Sequence, residues 1–300
     1  MSNLRVLSAG PLTTVQDLGR PGWAHLGVTG SGAADRSAFR LSNRLVANAE
    51  SAPALEITAG GLRVAVEDGP LLVAVTGAHC PITVGGSGRP HRALLSLRPG
   101  DVLQLGSAQQ GLRAYLAVRG GFAVPKQLGS SATDTLSGLG PAALTDGDVL
   151  PVLSGEEGFA RGWPVTEIAP GPDDEWPADV VTLTAIPGPR DAILSAPAQL
   201  IGQLWQVSEQ SDRVGLRLQG AAVRVAEDAG RLPSEPVVRG AVQLPPGGQP
   251  MIFLADHPVT GGYPVVAVLT PRSADAAAQL RPGDRVRLEL TRRPAWADPA

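Results

Sequence analysis

One cysteine, Cys80, and one lysine, Lys126, occur among the 300 residues. A single thiol excludes an internal disulfide and any multi-cysteine metal site. Cys80 directly follows His79, and adjacent side chains do not readily meet as nucleophile and base, so the cysteine is read as a buried apolar residue. With lysine nearly absent, arginine supplies the cations, through either compositional bias or a need for bidentate anion binding. A formal net charge of -3 and a pI of about 5.8 leave no basic field for a nucleic acid or an anionic membrane. No apolar run approaches the roughly 20 residues of a membrane span. The opening MSNLRVLSAG lacks the apolar stretch of a signal peptide, so a cytoplasmic protein is expected. Aromatics make up only 4% of a chain that is 43% hydrophobic, so its cores must be built from Val, Leu, Ile and Ala.

Familiar catalytic motifs are missing too. The nearest thing to a phosphate loop, GGSGRP at 85–90, lacks both the lysine and the helix that should follow. No G-x-G-x-x-G joins a strand to a helix, and no G-x-S-x-G occurs. His25, His79, His91 and His257 are scattered without ligand spacing, so no metal site is expected from them. Any active site has to be assembled from loops distant in the chain.

What is present is alternation, glycine and proline. Gly 37 and Pro 28 make up about a fifth of the residues without a collagen-like period, which suits many short strands joined by tight turns. LRVAVEDGPLLVAVTGA at 62–78 reads as strand, turn at Asp68-Gly69-Pro70, strand. Further strands are read at 112–121, 180–186, 214–220, 250–256, 264–270 and 285–290. Three helices are expected. The first covers 33–48 with Ala38, Leu41, Leu45 and Val46 on one face. The second covers 273–280 capped by Ser273, and a third near 191–204 is interrupted by Pro197.

LRPGDVLQL at 97–105 returns as LRPGDRVRL at 280–288, and the stretch 60–78 echoes 240–258. The echo predicts a duplication, with two β-barrel-like units of about 150 residues each. The boundary is placed near 175, in the acidic, Gly- and Pro-rich stretch 154–180. The units are therefore 1–174 and 175–300, a mainly β fold with a few short helices.

Four polar clusters stand out. TTVQDLGRPG at 13–22 puts Gln16, Asp17 and Arg20 on a glycine-bounded loop, with His25 close behind. GSGAADR at 30–36 offers Ser31, Asp35 and Arg36, with backbone N–H groups at a helix start suited to an anion. IPGPRD at 186–191 fixes the backbone before Arg190, and Asp212 and Arg213 follow. LADHPVTGGYP at 254–264 ends an apolar strand at Asp256, and its Gly261 and Gly262 allow close backbone approach beside Tyr263. Each cluster also has a plain structural reading. Asp17 could pair with Arg20, Asp35 could serve the helix dipole, Arg190 could pair with Asp212, and the two glycines could form only a turn.

These same stretches, with LEIT at 55–58, PGPR at 187–190, SDRVGLRL at 211–218, PSE at 233–235 and VQLPPGGQP at 242–250, resemble a known family. It is the biotin-dependent carboxyltransferase family of the allophanate hydrolase subunit 2 type. Its members include the C-type subunit of bacterial 5-oxoprolinases and the KipA regulator, and a related half occurs in urea carboxylase. The resemblance implies two tandem cyclophilin-like β-barrel units. It implies an ATP-dependent 5-oxoprolinase subunit, inactive alone, that opens 5-oxo-L-proline to L-glutamate. The implied partners are an allophanate hydrolase subunit 1-like protein (the B-type 5-oxoprolinase component) and a LamB/YcsF-type protein (the A-type component). ATP with Mg²⁺ would act at the level of the complex, in a site that a partner can share, and no biotin would be covalently bound. Asp17, Arg20 and Asp256 would be catalytic, and the other cluster residues would bind a small-molecule substrate. Two alternatives are a carboxyltransferase component of a biotin-dependent urea or amide carboxylase, and a KipA-like regulatory binding protein. Two departures are visible: Val265 where relatives carry a basic residue, and SEPVVRGA at 234–241, which adds Arg239.

Overall fold

A computed structural model describes residues 2–153, 179–194, 196–224 and 232–291. By contact, the described residues up to Arg20 and from Ser31 to Leu153 form one compact unit, and Pro21–Gly30 belongs with the residues from 179 onward. A boundary near 175 alone would put Pro21–Gly30 in the first unit. The segment carries a short 3₁₀ turn, Ala24–Leu26, that buries none of its residues. The boundary expected near 175 lies outside the described residues.

The first unit holds eleven strands: β1 (Ser2–Ser8), β2 (Leu12–Gln16), β3 (Ala54–Thr58), β4 (Arg63–Val66), β5 (Leu71–His79), β6 (Ile82–Val84), β7 (Ser87–Arg89), β8 (Leu94–Leu97), β9 (Val102–Leu105), β10 (Gln110–Val118) and β11 (Val149–Val152). They form a six-stranded sheet, β11-β1-β4-β9-β6-β7, and a five-stranded sheet, β2-β3-β10-β5-β8. Period-two alternation explains the packing. On β10, Ala114, Leu116 and Val118 join Leu4, Val6, Val64 and Val73 in a core fed by both sheets. Tyr115 and Ala117 point the other way, against Phe39, Leu45 and Val46. Full burial of each Val or Leu stabilises the unit by roughly 1.5–3 kcal/mol. The turn at Asp68–Pro70 does not close a hairpin. β4 pairs with β1 and β9, whereas β5 pairs with β10 and β8. Apolar residues of both strands face the common core from opposite sheets, so the chain changes sheet there.

Helix α1 (Arg36–Leu45) starts where Asp35 accepts a hydrogen bond from Ala38 N at 2.9 Å. It buries Phe39, Ser42, Asn43 and Leu45, with Ala38 and Leu41 partly covered, so Phe39 is the centre of its buried face.

In the second unit the strands are β12 (Val181–Pro187), β13 (Trp205–Val207), β14 (Gly215–Gln219), β15 (Glu235–Pro236), β16 (Ala241–Gln243), β17 (Met251–Phe253), β18 (Thr260–Gly261), β19 (Val265–Leu269) and β20 (Arg285–Leu290). Seven of them close a barrel in the order β12-β19-β16-β17-β14-β13-β20. The parallel pair β12–β20 closes the ring and sets buried Val181 and Leu183 beside buried Val286 and Leu288. The remaining pair, β15 and β18, forms a separate two-stranded ribbon. Helix α2 (Ala198–Ile201) is short and follows Pro197; α3 (Pro271–Ala277) is capped by Thr270 rather than Ser273. Pro271 suits the first helical position because its missing N–H needs no partner there. Ser273 instead accepts from Thr184 N at 2.8 Å, tying α3 to β12.

The repeated LRPGD phrase folds identically in both units. Asp101 Oδ2 accepts from Arg98 N at 2.7 Å, and Asp284 Oδ2 accepts from Arg281 N at 2.8 Å. Gly100 and Gly283 take left-handed φ values of 88° and 91°. Gly100 N donates to Val66 O and Gly283 N to Val207 O, both at 2.9 Å. The strand held by the second turn is therefore 205–207, not the 240–258 stretch that the upstream echo pairs with 60–78.

Candidate functional site

In the first unit the site residues converge on a segment that carries no motif of its own, SSATD at 130–134. It runs along the free edge of β2, where Thr133 N donates to Val15 O at 2.9 Å. Asp17, 6% exposed, organises it. Its Oδ1 accepts from Gly19 N at 2.7 Å and Ser130 Oγ at 2.6 Å, and its Oδ2 accepts from Ser131 N at 2.7 Å. Gln16 Nε2 donates to Thr133 O at 2.9 Å and to Thr14 Oγ1 at 3.0 Å. Arg20 is buried; its Nη2 donates to Ala132 O, and its Nη1 lies 4.0 Å from Asp134 Oδ2. Asp17 and Arg20 thus share a segment but use separate partners within it. Four buried polar atoms here have no hydrogen-bond partner among the described residues: Gln16 Oε1, Arg20 Nε and Nη1, and Thr133 Oγ1. Thr133 and Asp134 carry little sequence signal, because a TD dipeptide in a loop is ordinary.

Ser31, in the left-handed region at φ 50°, donates from Oγ to Thr133 O at 3.2 Å. Gly32 cannot carry a Cβ, which would lie 2.7 Å from Gly19 N. The three N–H groups that follow, leading into α1, are used by the protein itself. Ala33 N donates to Asp17 O at 2.9 Å, Ala34 N to Glu56 Oε2 at 2.9 Å, and Asp35 N to the Tyr115 hydroxyl at 2.7 Å. That hydroxyl donates in turn to Glu56 Oε2 at 2.9 Å, and Arg113 lies 3.5 Å from Glu56 Oε1. Burial, reinforced by the Glu56 charge, raises the Tyr115 phenol well above its ordinary value. Arg36 opens α1 half-buried. His25, grouped with the second unit, is exposed, stacks on Trp23 and contacts Gly22 O through Nδ1 at 3.1 Å.

The second unit sorts its candidates into two arginine forks and a bare ribbon. Arg213 and Asp256, 2% and 0% exposed, form the buried fork, with Nε–Oδ2 at 2.9 Å and Nη2–Oδ1 at 3.0 Å. Asp256 N also donates to Arg213 O at 3.0 Å. Arg190 pairs with Glu235 rather than Asp212, through Nε–Oε2 at 3.2 Å and a second bond from Nη2 to Oε1. Hydrogen bonding to Glu235 raises the Arg190 pKa, and the same bond lowers that of Glu235. Asp212 accepts from Val214 N and Gly215 N at 2.8 and 2.9 Å, closing a turn. Gly261 pairs with Glu235 in the ribbon, and a Cβ on it would meet Gln243 Nε2 at 2.3 Å. Gly262 is open around its Cβ position, and Tyr263 is exposed. Arg239, the extra charge, pairs with Asp275 of α3 at 2.6 Å.

These partners decide what the carboxylates can do. Asp17 holds three donors, Asp35 caps α1 and Asp256 neutralises a buried arginine, so a Mg²⁺ ion, which needs carboxylate oxygens and octahedral room, does not fit them. Among the described residues no three His, Cys, Asp or Glu side chains gather as a metal-holding group. Arg20 and Arg190 have the chemistry to meet negative charge on a ligand. No helix among the described residues is long and apolar enough to cross a membrane.

Comparison with known proteins covers nearly the whole chain. The family model for the carboxyltransferase domain, subdomains A and B, matches residues 26–290. The C-type subunit of 5-oxoprolinase from Escherichia coli strain K12 is 36% identical over 94% of this chain and 89% of that protein. Among solved structures, TTHA0988 superposes with a TM-score of 0.83 at 33% identity, covering 96% of this chain and 55% of that one. The urea amidolyase of K. lactis gives a TM-score of 0.85 at 30% identity, over 95% of this chain and 18% of that one. This chain therefore spans about half of the first solved protein and less than a fifth of the second.

Proposed function

The chain belongs to the carboxyltransferase domain family, subdomains A and B, and from that premise we propose that it is the C-type subunit of a heteromeric, ATP-dependent 5-oxoprolinase. The observation that carries the reading is the match to the E. coli protein, 36% identity with 89% of that protein covered. Its partners in this proposal are an allophanate hydrolase subunit 1-like protein and a LamB/YcsF-type protein. The complex opens the lactam of 5-oxo-L-proline to L-glutamate, in the cytoplasm, and the chain alone is inactive.

The chemical obstacle is an amide carbonyl too stable for water to attack. Phosphorylating its oxygen gives an imidate; water adds to the imidate carbon, the C–N bond breaks as nitrogen takes a proton, inorganic phosphate leaves, and negative charge builds on oxygen along the way. Charge of that kind is met by preorganised donors held out of water. In the first unit Arg20 has Nε and Nη1 to offer, and Gln16 Oε1 can accept from an amide N–H. Asp134 supports the Arg20 charge from 4.0 Å. Asp17 acts by holding the 130–134 segment in place rather than by moving a proton. ATP with Mg²⁺ is used at the level of the assembled complex in this reading, since Asp17, Asp35 and Asp256 are committed to partners within the chain.

The second reading is a carboxyltransferase component receiving carboxybiotin, favoured by the likeness to urea amidolyase. Biotin would then arrive on another protein, because the single lysine, Lys126, sits in VPKQL at 124–128 and not in a biotinyl-lysine motif.

The deciding experiment follows ATP-dependent glutamate release from 5-oxo-L-proline by the chain alone and with its partner subunits. Activity in the mixture, absent from either part and lost with Arg20→Gln in a complex that still assembles, supports the first reading. A folded, assembled complex with no such turnover that instead moves CO₂ from carboxybiotin to urea establishes the second.

A further inference from the structure

The two arginine forks of the second unit are built alike and placed differently. Arg213–Asp256 is sealed, with both side chains at most 2% exposed, and a backbone bond between the same two residues reinforces it. Arg190–Glu235 lies at the surface, its side chains 40% and 23% exposed. Exposed pairs contribute little to stability, and the sealed fork already gives the unit a rigid tie. The backbone under Arg190 is nevertheless fixed with care. Gly188 N donates to Val266 O at 2.9 Å and Arg190 N to Val265 O at 3.0 Å, and a Cβ on Gly188 would lie 2.4 Å from Val265 O. Arg190 is thus aimed from a rigid base while its partner stands on the two-residue strand β15, opposite Gly261. Beside it, Gly262 leaves open space and Tyr263 stands 47% exposed.

A guanidinium on a rigid mount, gripping a carboxylate with two parallel bonds, is already a carboxylate-recognition site. We propose that Glu235 is a built-in stand-in for a ligand carboxylate: it keeps the Arg190 fork in its binding geometry and gives way to the carboxylate of a small acid. This rests on the 5-oxoprolinase reading, whose substrate and product both carry such a group. The exchange leaves no buried charge unpaired. The incoming carboxylate takes over both hydrogen bonds, and Glu235, on a partly exposed ribbon, turns to water. Glu235 is thereby a specificity residue as well, because a neutral ligand group cannot match the bond it would have to replace.

The test titrates 5-oxo-L-proline and its carboxamide into the full chain assembled with its partners, by calorimetry, for wild type, Glu235→Gln and Arg190→Gln. Removing the internal competitor should tighten 5-oxo-L-proline binding about fivefold, the factor an exposed ion pair imposes. Carboxamide binding should rise as well, because the bond that shuts out a neutral group is gone, and Arg190→Gln should weaken the acid at least as much. Weaker or unchanged acid binding in Glu235→Gln, with the fold intact by circular dichroism, overturns the proposal and makes Glu235 a mere prop for Arg190. The two ideas fail separately. Normal glutamate release with no Glu235→Gln effect on KM removes only the stand-in. A wild-type complex that neither binds nor turns over 5-oxo-L-proline removes both.

Discussion

Replacing Asp17 with Asn keeps the side-chain volume and removes the charge, so it isolates what the carboxylate does. Asp17 accepts from Gly19 N, Ser130 Oγ and Ser131 N at 2.6–2.7 Å, all inside the first unit. Asparagine has one acceptor oxygen. Turned toward the first two donors, it sets its NH₂ against Ser131 N, donor facing donor. A buried donor left unpaired costs about 1–3 kcal/mol, so Asp17→Asn should destabilise the first unit by that amount. Alanine strips all three bonds and should cost on the order of 3–9 kcal/mol by the same reasoning. Urea denaturation by circular dichroism gives the totals, and hydrogen exchange of the 127–134 amides gives the location. The expected order is wild type, then Asn, then Ala, with protection lost first at 130–134. An Asp17→Asn protein as stable as wild type, with 130–134 equally protected but turnover abolished, would refute the reasoning and restore Asp17 as an acid–base group.

Removing one partner of the sealed fork leaves a buried charge alone, so Asp256→Asn should cost about 3–5 kcal/mol. The double change Arg213→Met with Asp256→Leu should cost less than either single one, by a double-mutant cycle in urea. Gly100 and Gly283 have nothing within 4 Å of a Cβ and near-equal positive φ. Alanine at either should therefore cost the same, about 1–2 kcal/mol, from backbone strain alone, read from paired thermal melts. Tyr115 is held protonated by burial and by Glu56. A folded-state pKa above the unfolded one gives stability that is complete below pH of about 10 and falls above it. Ultraviolet titration should show the Tyr115 phenolate appearing only as the first unit unfolds, and Tyr115→Phe should flatten the alkaline loss of stability.

Much of the fold was legible because β structure here is written in period-two alternation: β20 falls on the residues read as 285–290, and β19 within 264–270. Sheet membership was not legible, because Asp68–Pro70 looks like a hairpin turn locally and only the shared core decides that β4 and β5 part. Partner choice was the other blind spot. Asp17 and Arg20 are three residues apart, yet each binds a segment more than a hundred residues away, and Arg190 skips Asp212 for Glu235. Charge sequence predicts that such groups need partners, not which ones. The start of helix α1 shows the same thing: Glu56 and Tyr115, on two other strands, accept from Ala34 N and Asp35 N.

The carboxylates' commitments lead to a last prediction, about nucleotide. Mg²⁺ binds through one or two carboxylates plus substrate phosphates and keeps near-ideal octahedral geometry. Pulling Asp17 or Asp256 toward a metal would orphan buried donors or a buried guanidinium, at a cost of several kcal/mol in either case. An exposed magnesium site gains too little to offset that. The isolated chain should therefore bind Mg²⁺–ATP no better than Mg²⁺-free ATP, whereas the complex with its partner subunits should bind the magnesium form markedly tighter. Equilibrium dialysis with a slowly hydrolysed ATP analogue, with and without Mg²⁺, separates the two. Magnesium-dependent binding by the isolated chain would show that one of these carboxylates does leave its partners, and Asp17→Asn and Asp256→Asn would then tell which.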